Sequence, residues 1–167
     1  MQLHRPLMIV GAITGAAAIA GFVGFFLAPG ITSEATINIS RPPEIVWQFL
    51  ANHKNLPLWT PEFSRVEVLP HDRWKAYGRD GSAVLFEDMT VAPPKRLVSK
   101  MIETDNSVGG IWELDLLPAL GGGCTVTAHA TLMMQNPFQR VMARLLFNGD
   151  KEERKTLELL KRALESR

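Results

Sequence analysis

Between Ala35 and Met133 the hydrophobic pattern repeats with a period of two, segment after segment, and a chain patterned this way builds a sheet with one wet face and one buried face. In the last segment Thr125, Thr127, His129 and Thr131 alternate with Val126, Ala128, Ala130 and Leu132. In the first, Ala35, Ile37 and Ile39 alternate with Thr36, Asn38 and Ser40. Further strands are expected at Val66 to Leu69, Trp74 to Tyr77, Ser82 to Val91, Arg96 to Thr104 and Gly110 to Leu117. Pro70 to Asp72, Gly78 to Gly81, Pro93 with Pro94, Asp105 to Gly109 and Gly121 to Gly123 supply the reversals, and turns this short make neighbouring strands antiparallel.

Helical spacing flanks the strands on both sides. After the first strand, Pro42 and Pro43 open a helix with the apolar face Ile45, Val46, Phe49 and Leu50. A second short helical piece is expected around Leu56 to Trp59, closed by Pro61. After the last strand, Asn136 caps a helix that Pro137 begins, with Val141, Met142, Leu145 and Leu146 as its first stripe. Asn148, Gly149 and Asp150 interrupt it, and Leu157, Leu160 and Leu164 carry the stripe on. The expected class is α+β.

Ahead of all this lies an uncharged run from Leu7 to Ala28, in which Thr14 is the one polar side chain. At ~1.5 Å rise per residue, a helix of that length crosses a ~30 Å hydrocarbon core. The run predicts a transmembrane anchor within residues 1–30, followed by one folded domain over 34–167, and Gly11 with Gly15 forms a GxxxG-like pair inside it. His4 and Arg5 precede the run, whereas Glu34 and Arg41 follow it; this bias predicts a cytoplasmic amino terminus and a periplasmic, extracytoplasmic domain.

Charge excludes some functions. Lys and Arg total 18 against 17 Asp and Glu, without the basic excess that nucleic-acid binding needs. The single cysteine, Cys124, excludes an internal disulfide and a multi-cysteine metal site, and His4, His53, His71 and His129 have no ligand spacing. Neither metal nor cofactor is expected.

Several short motifs, INISRPPEIVWQFL at Ile37 to Leu50, NLPLWTP at Asn55 to Pro61, VAPPKRLV at Val91 to Val98, a Gly-rich turn into CTVTAHATL and NPF at Asn136 to Phe138, occur in an order that resembles the START-like or SRPBCC superfamily, in its polyketide cyclase/dehydrase branch. The resemblance implies a helix-grip fold: a curved antiparallel sheet of about six or seven strands wrapped around a long C-terminal helix, enclosing a cavity, with two short helices after the first strand. With the anchor, it implies membrane-tethered binding of a hydrophobic small molecule or lipid. The alternatives are a cyclase or dehydratase that needs no cofactor, and a non-catalytic envelope interaction protein.

Candidate site residues follow from side-chain type and face. Trp59, Phe86, Trp112, Met142 and Leu145 are expected to line the apolar wall that such a ligand requires. Glu87 and Asp88 interrupt an apolar strand and are the candidate proton carriers; being adjacent, only one of them can point inward. Glu113 and Asp115 alternate with Trp112, Leu114 and Leu116 and are expected outside, as is His129 among its threonines.

Overall fold

The computed structural model describes residues 22–104 and 108–166. Its elements, in chain order, are β1 (Gly30–Ile39), α1 (Pro43–Ala51), a 3-10 helix (His53–Leu58), β2 (Phe63–Leu69), β3 (Arg73–Gly78), β4 (Ala83–Ala92), β5 (Arg96–Thr104), β6 (Val108–Pro118), β7 (Cys124–Met134), α2 (Pro137–Leu146) and α3 (Gly149–Glu165). All seven strands belong to one antiparallel sheet of order β1-β7-β6-β5-β4-β3-β2. From β2 to β7 each strand pairs with its successor, and β1 closes the row against β7, Ala35 facing Ala128. Short turns set this meander: His71 and Asp72 at one reversal, and Gly121 and Gly122 at another, all take positive φ.

Alternation fixes which face is buried. Leu114, Leu116, Val126 and Ala128 point into a core completed by Val46, Phe49 and Leu50 of α1 and by Leu157, Leu160 and Leu164 of α3. The last three recur at helical spacing, so α3 turns one stripe to the sheet.

The gripping arrangement expected for the sheet needs correction. The sheet is open: β1 and β2 are its two edges and do not pair with each other. Nor does one long helix lie within a curl. Phe147 is extended, Asn148 caps a new helix by accepting from the Lys151 amide at 3.1 Å, and the chain is thereby cut into α2 and α3. No residue of α2 is buried, whereas α3 lies along β1. There it seals the edge. Asp150 accepts from the Glu34 amide at 2.8 Å, Lys161 donates to the Asn38 carbonyl at 2.9 Å, and Glu165 accepts from the Ser40 amide at 2.8 Å. These are the backbone groups that an uncovered edge strand would offer to another chain.

The predicted anchor is corrected as well. Among the described residues no helix is long and apolar enough to cross a membrane. The span placed at Leu7 to Ala28 lies outside the described residues up to Gly21, and with it the GxxxG-like pair and the charges before it. What is described of it is a helical segment over residues 22–26. Guanidinium groups of α2 meet its end: Arg140 donates to the carbonyls of Gly24 and Leu27 at 3.4 and 3.3 Å, and Arg144 to that of Ala28 at 2.8 Å. At Gly30 the chain is already in β1. The membrane tether, the membrane partner and the periplasmic placement rested on that span, and no spanning helix among the described residues supports them.

The division of labour between the two C-terminal helices is measurable. Leu160→Ala is expected to destabilise the protein by about 2–5 kcal/mol in urea unfolding, whereas Leu145→Ala, at a residue 73 % exposed, stays within about 0.5 kcal/mol of wild type. Equal losses would place α2 in the core.

Candidate functional site

The inner face of the sheet carries two cross-strand rows, and together they make the site. In one, Trp74 faces Phe86, Phe86 faces Met101, Met101 faces Gly110 and Gly110 faces Leu132. In the next, Asp88 faces Ser99, Ser99 faces Trp112 and Trp112 faces Ala130. A Cβ at Gly110 would collide with the Thr131 carbonyl and the Met101 methyl, so glycine there lets Met101 lie flat across β6.

Trp74, Phe86, Met101 and Leu132 of the first row and Trp112 and Ala130 of the second line a pocket of about 190 Å³, together with Ile111, Leu56, Thr60 and Phe63. Glu153 and Thr156 of α3 complete it. The lining is overwhelmingly apolar and the rings are ordered in stacks. Trp74 and Phe86 lie parallel with centroids 4.1 Å apart, and Trp59 stacks on Trp112 at 5.6 Å. Larger grooves of 470 and 540 Å³ are open hollows on the outer surface with polar or charged walls.

Two carboxyl groups meet this region under opposite conditions. Asp88 is 9 % exposed and receives three donors: His53 Nε2 at 2.7 Å, Ser99 Oγ at 2.7 Å and Trp74 Nε1 at 3.0 Å. Burial works to raise its pKa, but the hydrogen bonds from His53, Ser99 and Trp74 outweigh burial and hold it below the usual carboxylate range. It stays ionised. Against an ionised carboxylate His53 Nε2 is the donor, and its ring stacks on Trp74 at 4.4 Å.

Glu153 projects from α3 into the apolar pocket, and there burial pushes its carboxyl above the usual range, opposed by one hydrogen bond from Trp112 Nε1 at 3.3 Å. A carboxyl with one weak donor and apolar neighbours exchanges its proton nearer neutrality, as acid–base work requires. Its position is readable in the sequence: Glu153, Leu157, Leu160 and Leu164 share a single helical stripe, so a residue spaced like a core leucine is an acid.

The other sequence candidates separate cleanly. Phe86 and Trp112 are pocket walls, and Trp59 backs Trp112 beside a small void shared with His53 and Ser99. Met142 and Leu145 do not reach the pocket. They sit on α2, which the break at Phe147 and Asn148 carries away from the core, and Leu145 borders an outer groove instead. Asp88 points inward and its neighbour Glu87 points out, 3.5 Å from Arg73 at the surface. Glu113 and Asp115 are outside with Arg96, and His129 lies 3.4 Å from Glu34 on the same face. Among the described residues no group of His, Cys, Asp and Glu is arranged to hold a metal ion.

Comparison with known proteins bears on the whole fold. A family model described as polyketide cyclase / dehydrase and lipid transport matches residues 30–165. No curated protein sequence matches the chain. Among solved structures, a protein from Thermus thermophilus is similar at TM-score 0.66 and 18% identity, covering 81% of this chain and 98% of its own. A START superfamily protein from Mycobacterium smegmatis is similar at TM-score 0.60 and 13% identity, over 81% of this chain and 94% of its own. The di-domain ARO/CYC StfQ from the steffimycin biosynthetic pathway is similar at TM-score 0.62 and 16% identity, over 82% of this chain and 51% of its own. At such identities the structural likeness shows a START-like, helix-grip type of fold and nothing finer.

The opposed pKa shifts give opposite pH signatures in unfolding. Asp88 is depressed in the fold, so its contribution is present above the ordinary Asp value of about 3.9 and is lost as the pH falls through the lower folded value. Asp88→Asn is therefore expected to cost about 2 kcal/mol at pH 7 and progressively less below pH ~4. Glu153 is raised, so its ionisation costs stability as the pH climbs through the ordinary Glu value of about 4.3 and the higher folded value. Glu153→Gln is expected to be more stable than wild type at pH 7 and to converge with it in acid. A pH-independent difference for either variant contradicts the assignment.

Proposed function

The chain belongs to the polyketide cyclase / dehydrase and lipid transport family, and from that membership we propose that it is a cofactor-independent cyclase or dehydratase acting on a small, flat, hydrophobic carbonyl compound, with Glu153 as the proton carrier. The observation that carries this reading is the single raised carboxyl in an otherwise apolar, ring-walled pocket. The likeness to an aromatase/cyclase di-domain supports the same reaction class. It replaces the membrane-tethered carrier expected from the sequence, whose tether is not found among the described residues.

The chemistry balances on one carboxyl. Ionised Glu153 takes a proton from a carbon flanked by two carbonyls, and the resulting enolate carbon attacks a second carbonyl carbon of the same molecule. A carbon–carbon bond forms, the attacked C=O becomes an alkoxide, and protonated Glu153 returns its proton to that oxygen. Loss of the new hydroxyl with a neighbouring hydrogen, as water, leaves a conjugated ring and unchanged protein. A raised pKa makes both directions of proton transfer accessible near neutral pH. Trp74, Phe86 and Trp112 contribute flat apolar surface that orients the substrate and excludes water from the enolate.

Pocket size limits the substrate. At about 190 Å³ it is smaller than the roughly 300–1,000 Å³ that encloses a drug-sized ligand, so it receives one or two rings while the remainder of a longer molecule stays outside. Asp88 has the task of holding Trp74 and His53 in place.

With a poly-β-ketone thioester mimic, Glu153→Gln is expected to lower kcat by about 10²–10⁴ fold and leave binding, read from tryptophan quenching, within a few fold. Wild-type kcat/KM is expected to rise with pH through one carboxylate ionisation lying above the ordinary Glu value, because the first step needs the ionised form. If Glu153→Gln binds and turns over the mimic like wild type, Glu153 carries no chemistry. If neither protein turns over the mimic while both bind it, the site is a carrier pocket.

A further inference from the structure

We propose that β2 is a self-complementary edge through which two copies of this chain pair. The sheet has two edges, and they are finished differently. β1 is sealed by Asp150, Lys161 and Glu165 of α3, whereas no strand among the described residues lies beside the outer edge of β2. The 3-10 helix packs against β2, and at the start of the strand the Phe63 amide is taken by the Thr60 carbonyl at 3.1 Å, which leaves the stretch from Arg65 onward for a neighbour. Such an edge presents a row of backbone donors and acceptors to another chain.

Charged residues on an edge strand ordinarily block pairing, because a two-fold axis brings like charges together. The β2 sequence FSRVEVL does the reverse. When two antiparallel copies meet with the axis at Val66, Arg65 of each faces Glu67 of the other and Val66 faces itself. Opposite charges then meet twice across one isologous contact. The bulge in β2 falls between Phe63 and Arg65, so Arg65, Val66 and Glu67, the residues that meet across the axis, keep continuous register with β3.

The outward side chains are already held in place. The Arg65 guanidinium lies 3.6 Å over the Tyr77 ring, and Tyr77 Oη donates to Glu67 Oε2 at 2.8 Å, so one ring orders both charges on the same face. Ordering them in the free chain reduces what association must immobilise. Val68, on the opposite face of the strand, is 55 % exposed and becomes covered at such a contact. Phe63 is also a pocket wall, so the paired edge ends beside the ligand site.

Charge exchange on the full chain tests the idea by sedimentation velocity, with circular dichroism confirming that each variant folds. Wild type is expected to dimerise at or below about 100 µM in low salt. Arg65→Glu and Glu67→Arg, each of which sets like charges opposite one another, should each weaken self-association about tenfold or more. An equimolar mixture of the two should recover dimers, and so should the double exchange in one chain. A wild-type chain monomeric at about 100 µM overturns the proposal. So do single variants that associate like wild type, which would locate any contact at another surface such as the exposed rings of Phe25 and Phe26, and so does a mixture that stays monomeric.

Discussion

An ionised carboxylate beneath a sheet has to be fully paired, and the way Asp88 is paired organises much of this molecule. Its donors come from three separate elements: His53 from the 3-10 helix, Trp74 from β3 and Ser99 from β5. Leaving one donor unmade would weaken the pairing of a buried charge by about 1–3 kcal/mol. Those three elements therefore move together or not at all. The pocket inherits this rigidity, since Trp74 is both a donor to Asp88 and a wall, and its stack with Phe86 sets the second wall. A residue that takes no part in the proposed chemistry thus fixes the shape of the pocket.

Asp88 and Glu153 differ by one methylene and behave oppositely because of what surrounds them. Three short hydrogen bonds make Asp88 a fixed negative charge, while Glu153 has a single long one and a wall of carbon. Pairs of acids whose environments push their pKa values apart carry distinct roles. Asp88 holds the scaffold and Glu153 is left able to titrate.

How much of this is legible in the amino-acid sequence depends on the range of the interaction concerned. Period-two alternation is local, and it locates the strands to within a few residues, though β1 begins at Gly30, earlier than the alternation of Ala35, Ile37 and Ile39 suggests. Alternation does not choose between Glu87 and Asp88, because adjacent residues face opposite ways and only the register with Ser99 and Trp74 settles which is inside. Met142 and Leu145 are misplaced by spacing for a similar reason. Theirs is the spacing of a buried stripe, but Asn148 caps a fresh helix and leaves α2 outside the core. Hydropathy likewise does not register the arginines of α2, more than a hundred residues away, that donate to the Leu27 and Ala28 carbonyls at the end of the uncharged run. Glu153 is the opposite case. Its place in the stripe of Leu157, Leu160 and Leu164 is there to be read, yet an acid among the many charges of this helix blends into the charged face.

The proposed proton carrier sits on a helix, while the aromatic walls sit on the sheet. This division has a mechanical basis. Strands of a meander are held by neighbours on both sides, which suits large rings that must keep their stacking. Helix α3 is held otherwise, by Asp150 near its start and Lys161 near its end, both reaching the backbone of β1, and by Glu165, which reaches the Ser40 amide just past that strand. Glu153 lies between these points. Pinned at both ends, the helix cannot slide along the sheet without breaking backbone hydrogen bonds at the strand edge. The carboxyl is therefore carried at a set distance from Trp112 Nε1, and its environment, including the raised pKa, is a property of the assembled fold. Sealing an edge strand and placing an acid are two results of one set of contacts.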